Sequence, residues 1–168
     1  MSAPEHDVSV EPLSPNAFAP FGDVISAGLR SGTAANQGTS VRFDWSADLV
    51  NRRASARPNL SVFRSQPQAL PLHLRVLERH PHSTQAFLPL VCVRFLVCVA
   101  PTRPDGEPDL QRLRAFECRP GQGINYRPGV WHHGIVALDA PAEFAMLAWE
   151  DGTSGDCEER RVDGVTVF

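Results

Sequence analysis

The stretch Gly121-Gln122-Gly123-Ile124-Asn125-Tyr126-Arg127-Pro128-Gly129-Val130-Trp131-His132-His133 carries the strongest structural signal in the sequence. Pro128 fixes its own φ and Gly129 can adopt the positive φ of a tight turn, so this pair predicts a reversal of the chain. A strand is predicted to start at His132, three residues after Gly129, with its first imidazole directed inward. His133 should then face the opposite side of the strand, because side chains alternate.

A second stretch, Leu72-His73-Leu74-Arg75-Val76-Leu77-Glu78-Arg79-His80-Pro81-His82, changes character along its length. A period of two places one apolar face at its start and ionisable groups at its end: Leu72, Leu74, Val76, Glu78, His80 and His82. Barrel strands behave this way when the closed end packs as core and the open end lines a ligand site. Taken alone, Glu78 and His80 also fit a surface ion pair at a strand end.

The histidines favour a shared site over scattered core positions. Of six histidines in the chain, four lie together at the ends of these two stretches: His80, His82, His132 and His133. Gln85 follows three residues after His82, and its amide can point back toward the same open end of the barrel. The sequence therefore predicts a pocket that gathers imidazoles from two separated segments.

Fifteen prolines and twelve glycines divide the remaining sequence into short pieces. Strands are predicted at 24–27, 40–45, 59–64, 72–82, 92–100, 115–118, 124–127, 132–138 and 143–149. So many short strands favour a sandwich or a barrel. Two short helices are predicted, at 14–18 with Ser14 as its cap and at 109–114 with Asp109 as its cap. Residues 27–38 are predicted to be a loop, either over a pocket mouth or without function.

Length and charge restrict the class of protein. A chain of 168 residues suits a single domain over 1–168, with 1–7 and 153–168 expected to be peripheral. A net charge of −3 gives no basic surface for nucleic acid. The chain has no apolar run long enough for a membrane helix and no apolar secretory segment at its start, so we expect a cytoplasmic protein. The four cysteines form no CxxC pair and are expected to be reduced and structural.

Both histidine stretches resemble the two sequence motifs of the cupin superfamily. His80-Pro81-His82-Ser83-Thr84-Gln85 is similar to the first motif, with Gln85 near the usual glutamate position. Pro128-Gly129-Val130-Trp131-His132 is similar to the second. The resemblance implies an all-β, cupin-like (RmlC-like jelly-roll) β-barrel. It also implies a divalent metal held by His80, Gln85 and His132, because imidazole and oxygen ligands suit nickel, zinc, iron or manganese.

A more specific resemblance, spread over most of the chain, is to the ureidoglycolate lyase family of allantoin degradation. The matching stretches are Phe18-Ala19-Pro20-Phe21-Gly22-Asp23-Val24-Ile25, Leu77-Glu78-Arg79-His80-Pro81, Thr84-Gln85-Ala86-Phe87-Leu88-Pro89, Pro108-Asp109-Leu110, Leu113-Arg114-Ala115-Phe116 and the 123–133 string. This resemblance implies a carbon–nitrogen lyase that releases urea and glyoxylate from ureidoglycolate. It further implies a cytoplasmic homodimer, and nickel as the metal.

For that reaction the sequence offers a base, an acid and an anion clamp. Glu78 or His132 is the candidate base, and His80 is the second catalytic imidazole. Tyr126 is the candidate proton donor to the leaving nitrogen, or alternatively a rim aromatic packed on Trp131.

Three further side chains are candidates for binding the substrate. Arg79 would clamp the carboxylate, although strand alternation directs it away from His80, so that it could serve a partner subunit instead. Asn125 would orient the urea group, or alternatively stabilise a turn. Gln85 completes this set of expected contacts.

Two other functions fit the same pattern. A non-catalytic cupin that binds a small carboxylate would use the same pocket, because a fold does not determine a function. Another metal-dependent cupin enzyme, such as an oxygenase or isomerase, would normally need more ligands than His80, Gln85 and His132.

Overall fold

The computed structural model describes residues 6–168, and most of its regular elements are strands. The strands are β1 (His6–Val8), β2 (Val10–Pro12), β3 (Gly22–Ile25), β4 (Thr33–Ala35), β5 (Ser40–Arg42), β6 (Arg57–Ser65), β7 (Leu72–His73), β8 (Val76–Arg79), β9 (Gln85–Val91), β10 (Arg94–Ala100), β11 (Arg114–Cys118), β12 (Gly123–Tyr126), β13 (Trp131–His132), β14 (Val136–Leu138), β15 (Ala142–Glu150), β16 (Glu158–Arg161) and β17 (Val165–Val167). Helix α1 spans Pro15–Phe18, and short 3-10 helices lie at Asn36–Gly38 and Leu110–Arg112.

The strands form two main sheets. Sheet I has the order β16-β8-β13-β10-β11-β2, with β14 also paired to β10. Sheet II has the order β3-β12-β9-β15-β6. A smaller sheet, β1-β17-β7, and the hairpin β4-β5 complete the described structure.

The core lies in two layers. The first lies between sheets I and II and contains large side chains from both sheets, among them Phe87, Phe95, Phe116, Tyr126 and Phe144. The second lies on the other face of sheet I, where Leu77 and Trp131 pack with Val165 and Val167 of β17. Alternation along β8 and β13 therefore directs one set of residues between the sheets and the next set into the outer layer.

The predicted all-β, cupin-like fold is confirmed. The two sheets pack face to face as in a jelly roll. In the described range their edge strands are not joined into one continuous ladder, so the arrangement is an open sandwich rather than a closed barrel. No helix among residues 6–168 is long and apolar enough to cross a membrane.

Of the two predicted helices, the first is confirmed and the second is shorter than expected. Ser14 caps α1 by accepting a hydrogen bond from the Ala17 amide at 3.3 Å. The second prediction, 109–114, is wrong in extent, because only Leu110–Arg112 is helical, as one 3-10 turn. The Asp109 side chain makes no capping hydrogen bond there, and Arg114 already begins β11.

Several strand predictions also need correction. The strand expected over 132–138 is divided into β13 and β14, and residues 133–135 lie between them outside any strand. The continuous strand expected over 72–82 is interrupted between β7 and β8, which leaves Val76 exposed and Leu77 fully buried. Strand β9 was not predicted, and it contains Pro89, which cannot donate to a ladder. The register of β9 against β15 shifts beside Pro89, and this irregularity accommodates the missing donor.

The C-terminal segment is not a solvated tail. The expectation that 153–168 is peripheral is wrong because β16 pairs with β8, and β17 buries Val165 and Val167. At the other end, the expectation for 1–7 falls partly outside the described residues. His6–Val8 forms β1, which pairs in parallel with β17.

One turn brings the two histidine stretches together. The Val130 amide donates to the Arg127 carbonyl at 3.2 Å, with Pro128 and Gly129 between them. Gly129 has a φ of +82°, as the second central residue of a type II turn requires. Its amide donates to the His80 carbonyl at 2.8 Å. Beyond the turn, β13 pairs with β8 so that His132 lies opposite Glu78.

Candidate metal and active site

Glu78, His80 and His132 form a compact cluster between the two sheets. One ligand atom from each of the three side chains lies within 4.8 Å of the other two. Glu78 is on β8, and His80 is the first residue after the end of that strand. His132 is on the neighbouring strand β13. Both imidazoles are buried, while the Glu78 side chain is 30% exposed. The carboxylate is therefore the member of the cluster that solvent reaches.

The two imidazoles are held in the same way. His80 Nδ1 lies 2.9 Å from the Asp156 carbonyl oxygen, and His132 Nδ1 lies 3.0 Å from the Val130 carbonyl oxygen. Because a carbonyl only accepts, both Nδ1 atoms must carry the proton, and each Nε2 keeps its lone pair. Neither Nε2 has a hydrogen-bond partner within the described chain. The two rings lie 5.5 Å apart at an interplanar angle of 23°.

The charges in the cluster fit a cation. His132 Nε2 lies 3.5 Å from Glu78 Oε1, so that a proton or a cation between the two atoms would satisfy both of them. The contact with His132 lowers the pKa of Glu78, which keeps the carboxylate ionised. Burial lowers the pKa of His80 and favours its neutral form. Two imidazoles and one carboxylate are a donor set that divalent transition metals accept.

Tyr126 and Gln85 border the cluster from sheet II. They are cross-strand partners on β12 and β9, and both are buried. The Tyr126 ring stacks on His132 with centroids 4.0 Å apart and an angle of 10° between planes. The Tyr126 hydroxyl and Gln85 Oε1 are buried without a partner among residues 6–168. Burial raises the pKa of Tyr126 well above its ordinary value, so the hydroxyl stays protonated.

The structure does not bring Arg79 and Asn125 into the cluster. Arg79 binds Glu158 and the Gly106 carbonyl, and its Cζ lies 4.6 Å from the centre of the Trp131 ring in the outer layer. Asn125 donates from Nδ2 to Asp23 Oδ2 and to the Asp48 carbonyl, each at 3.0 Å. Alternation next to Glu78 and next to Tyr126 explains both placements.

The neighbouring histidines make hydrogen bonds outside the cluster. His133 Nδ1 lies 2.7 Å from the Gly134 carbonyl oxygen, and the residue is half-buried. The His82 carbonyl accepts a hydrogen bond from the Arg52 amide at 2.8 Å. Neither residue belongs to the three-residue cluster.

Two features of the site were not found in the sequence. One is Glu78 as a metal ligand, which its position two residues before His80 on one strand face could have indicated. The other is the Asp156 carbonyl, because the segment after Gly152 was interpreted as a solvated terminus. Residues 151–156 are all Asp, Gly, Thr or Ser, and such a run predicts a tight turn that could have indicated this contact.

Other cavities lie away from the cluster, at sheet II. One, of about 440 Å³, is lined by apolar side chains of sheet II, including Leu60, Leu88 and Leu147, together with Trp45 and Leu49. Another, of about 330 Å³, is lined in part by Leu29 and Arg30 of the 27–38 segment. That segment, predicted to be a loop, contains β4 and a 3-10 helix.

The family model described as ureidoglycolate lyase matches residues 5–167 of the chain. A ureidoglycolate lyase of Burkholderia cepacia is 43% identical over 154 residues, which cover 89% of this chain and 83% of that protein. A ureidoglycolate lyase of Pseudomonas fluorescens is 39% identical over 150 residues, covering 89% of this chain and 88% of that protein. Among solved structures, a dTDP sugar isomerase from Desulfovibrio desulfuricans aligns with a TM-score of 0.49 and 19% identity, covering 84% of this chain and 85% of that chain.

Proposed function

The chain belongs to the ureidoglycolate lyase family, and from that membership we propose that it eliminates urea from ureidoglycolate to give glyoxylate. The observation that carries the proposal is the cluster of Glu78, His80 and His132, whose unpartnered ring nitrogens converge beside an ionised carboxylate. Such a site can move protons and bind oxygen atoms without a covalent nucleophile.

The reaction needs one proton to leave an oxygen and one to reach a nitrogen. Ureidoglycolate carries a hydroxyl, a carboxylate and a urea nitrogen on one carbon. When a base takes the hydroxyl proton, the C=O bond of glyoxylate forms and the C–N bond breaks. The leaving nitrogen takes its electron pair and receives a proton, which completes urea. The protein must therefore supply a base and a proton donor.

Glu78 and Tyr126 fit these two roles in our proposal. The Glu78 carboxylate is partly exposed and kept ionised by His132, so it can accept the hydroxyl proton. The Tyr126 hydroxyl is buried, protonated and unpartnered within the described residues, so it can donate to the urea nitrogen or carbonyl. Stacking on His132 restricts the orientation of the Tyr126 ring.

We propose that Glu78, His80 and His132 hold a divalent metal, with Gln85 as a further oxygen donor. When bound, the metal would bind the hydroxyl and carboxylate oxygens of the substrate and lower the pKa of the hydroxyl. Nickel agrees with the imidazole-rich donor set, as do zinc, iron and manganese. This set adds Glu78 to the ligands expected from the sequence.

Arg79 and Asn125 are not substrate contacts in this proposal. The Arg79 guanidinium is used by Glu158, Gly106 and Trp131, so it cannot also grip the substrate carboxylate. Asn125 is fixed by Asp23 and by the Asp48 carbonyl. Gln85 remains the candidate for orienting the urea group, because its buried Oε1 has no partner in the described part of the chain.

We propose that the protein is a homodimer joined through the outer face of sheet II. Trp45, Leu60, Val62 and Leu88 are exposed at this face, and Trp45 is 86% exposed. Together with Leu49 they present apolar area on the order of 600 Å², at the upper end for a monomer and close to one side of a standard interface. A second copy of the same apolar face would cover it.

We also propose that the enzyme acts in the cytoplasm, in purine catabolism through allantoin. All four cysteines are free, which suits a reducing compartment. Burial raises the pKa of Cys98 to about 12, so this thiol stays protonated and unreactive.

Incubating the purified protein with ureidoglycolate, with and without a chelator, tests the function. We expect glyoxylate and urea in equal amounts, and a loss of turnover when the metal is removed. Ammonia and carbon dioxide in place of urea would instead identify an amidohydrolase. Binding without turnover would support the non-catalytic alternative, and an absolute need for oxygen would support an oxygenase.

A further inference from the structure

Asp156 links the metal cluster to a turn that contains no cluster residue. Its carbonyl oxygen accepts from His80 Nδ1 at 2.9 Å. This hydrogen bond keeps the proton on Nδ1 and leaves Nε2 free to bind a metal. The position of His80 Nε2 therefore depends on where the backbone of Asp156 is held.

The Asp151–Asp156 turn is closed by its own carboxylates. Asp156 accepts hydrogen bonds from the amides of Asp151 at 3.0 Å and Gly152 at 2.8 Å. Asp151 accepts from the Thr153 hydroxyl at 2.6 Å and from the Ser55 hydroxyl at 2.8 Å. Two negative charges in one short turn repel each other unless a cation neutralises them.

Arg53 supplies that cation from a distant part of the chain. Its Nη1 donates to Asp151 Oδ1 at 3.0 Å, and its Nη2 binds Asp156 Oδ1. The three side chains are only 14–16% exposed, so solvent screens the contact less than it screens a surface pair.

The segment that carries Arg53 is itself attached to the chain around the site. The Arg52 amide donates to the His82 carbonyl at 2.8 Å, and the Thr84 amide donates to the Val50 carbonyl at 3.0 Å. Asn51 hydrogen-bonds the backbone amide and the carbonyl of Arg53, each at 3.0 Å. The backbone around Arg53 is thus attached to His82 and Thr84, which follow His80, while the Arg53 side chain is attached to the Asp151–Asp156 turn.

We propose that Arg53 is a positioning residue for the metal cluster: by binding Asp151 and Asp156 it fixes the turn whose Asp156 carbonyl orients His80. This inference rests on the proposed metal-dependent function. Arg53 touches neither the cluster nor the substrate in this account. It acts only through the Asp156 backbone and the tautomer of His80.

The first test reads the His80 tautomer by ¹⁵N NMR of the imidazole nitrogens in chelator-treated protein, which requires neither metal nor substrate. Wild-type protein should show the proton on Nδ1. Arg53→Met keeps an unbranched side chain but removes the guanidinium and its charge, and should move a substantial fraction of the proton to Nε2. Arg53→Lys keeps the charge and should retain most of the wild-type signal. Arg42→Met removes the Arg42–Asp44 pair, which is an exposed surface pair, and should leave the signal unchanged.

The second test measures Ni²⁺ affinity by competition with a chelator. Arg53→Met should weaken binding roughly 10- to 100-fold, the usual effect of losing a residue that orients a metal ligand. Arg42→Met should bind as wild type does. A folded Arg53→Met protein with the wild-type tautomer and affinity would overturn the proposal. If Arg53→Met does not fold, Asp151→Asn, which weakens the same contact from the turn side, is measured instead, and an unchanged tautomer in that variant would overturn the proposal equally.

The two tests separate this proposal from the proposed function. A wild-type protein without lyase activity, whose His80 tautomer still shifts on Arg53→Met, would reject the function and support the positioning role. An active wild-type protein in which Arg53→Met leaves the His80 tautomer unchanged would support the function and reject the positioning role.

Discussion

The amide of Gly129 donates a hydrogen bond of 2.8 Å to the carbonyl oxygen of His80. This contact ties the turn before His132 to the strand end that carries Glu78 and His80. Two segments about fifty residues apart in the chain thereby meet at one point. The geometry of the cluster depends on this turn as much as on its three side chains.

Gly129→Ala should destabilise the protein by about 1 kcal/mol, because its φ of +82° disfavours any residue with a Cβ. An added Cβ would meet nothing within 4 Å, so the cost comes from the backbone alone. Urea denaturation measures the change. Gly134→Ala is the matched control, since Gly134 also has open space but no positive φ, and it should change stability little. Equal stabilities of the two variants would argue against the strained turn.

His132→Ala should lower turnover by about 100-fold or more, because it removes a proposed metal ligand and the contact that keeps Glu78 ionised. Circular dichroism should show an intact fold. His133→Ala changes the adjacent imidazole, which lies outside the cluster, and should retain activity. Normal activity of a folded His132→Ala protein would show that the proposed site is wrong.

Glu78→Gln should weaken divalent metal binding by at least about 100-fold, because it replaces the only charged donor of the described cluster by a neutral amide. Titration with Ni²⁺ monitored by calorimetry gives the affinity. The control is Glu159→Gln, an exposed glutamate that pairs with Glu78 across the sheet I ladder through its backbone. Equal affinities of the two variants would exclude Glu78 as a ligand.

The stability of the metal-free protein should fall as the pH drops below about 6.5. Burial lowers the pKa of His80 below its ordinary value of 6.5, so in this range the unfolded chain binds a proton that the folded chain excludes. The contribution of His80 to stability is therefore fully present above pH 6.5, and it is lost as the pH falls toward the lower pKa of His80 in the folded protein. Glu78, whose pKa is lowered from 4.5, adds stability above 4.5 that is lost only at more acidic pH.

His80→Gln removes the first of these two effects. Urea midpoints of both proteins between pH 7.5 and 5.5, in the presence of a chelator, should therefore decline less for the variant than for the wild type. His133, whose pKa burial also lowers, leaves some decline in both. Parallel declines would mean that His80 does not titrate as the structure implies.

Leu60→Glu should dissociate the proposed homodimer, because it places a charge within the apolar outer face of sheet II, where Leu60 is 74% exposed. Light scattering after size exclusion measures the mass. Phe168→Glu is the control, since Phe168 is 54% exposed but follows β17, away from sheet II, and it should leave the mass unchanged. A monomeric wild type would reject the proposed dimer.

Local sequence patterns were enough to predict the class of fold and the two segments that form the site. Alternation and turn residues predicted a sandwich or barrel of short strands, and the spacing around Pro128-Gly129 correctly directed His132 into the buried interior. The same alternation already indicated that Arg79 faces away from His80. These features are local, because they depend on backbone geometry over a few residues.

Which groups from distant segments meet depends on the packing of the folded chain. Glu78 became a ligand candidate because β13 pairs with β8 in a register that places His132 opposite it. Strand β9 could not be predicted because it contains Pro89. A proline is accommodated there only because the register of β9 against β15 shifts beside it, and that pairing is not visible in the sequence. The residues around Asp156 were expected to be peripheral. In the structure Arg53 binds the carboxylates of Asp151 and Asp156, and the Asp156 carbonyl orients His80. Strand register and backbone carbonyl contacts are set by packing between segments, which no single stretch of sequence specifies.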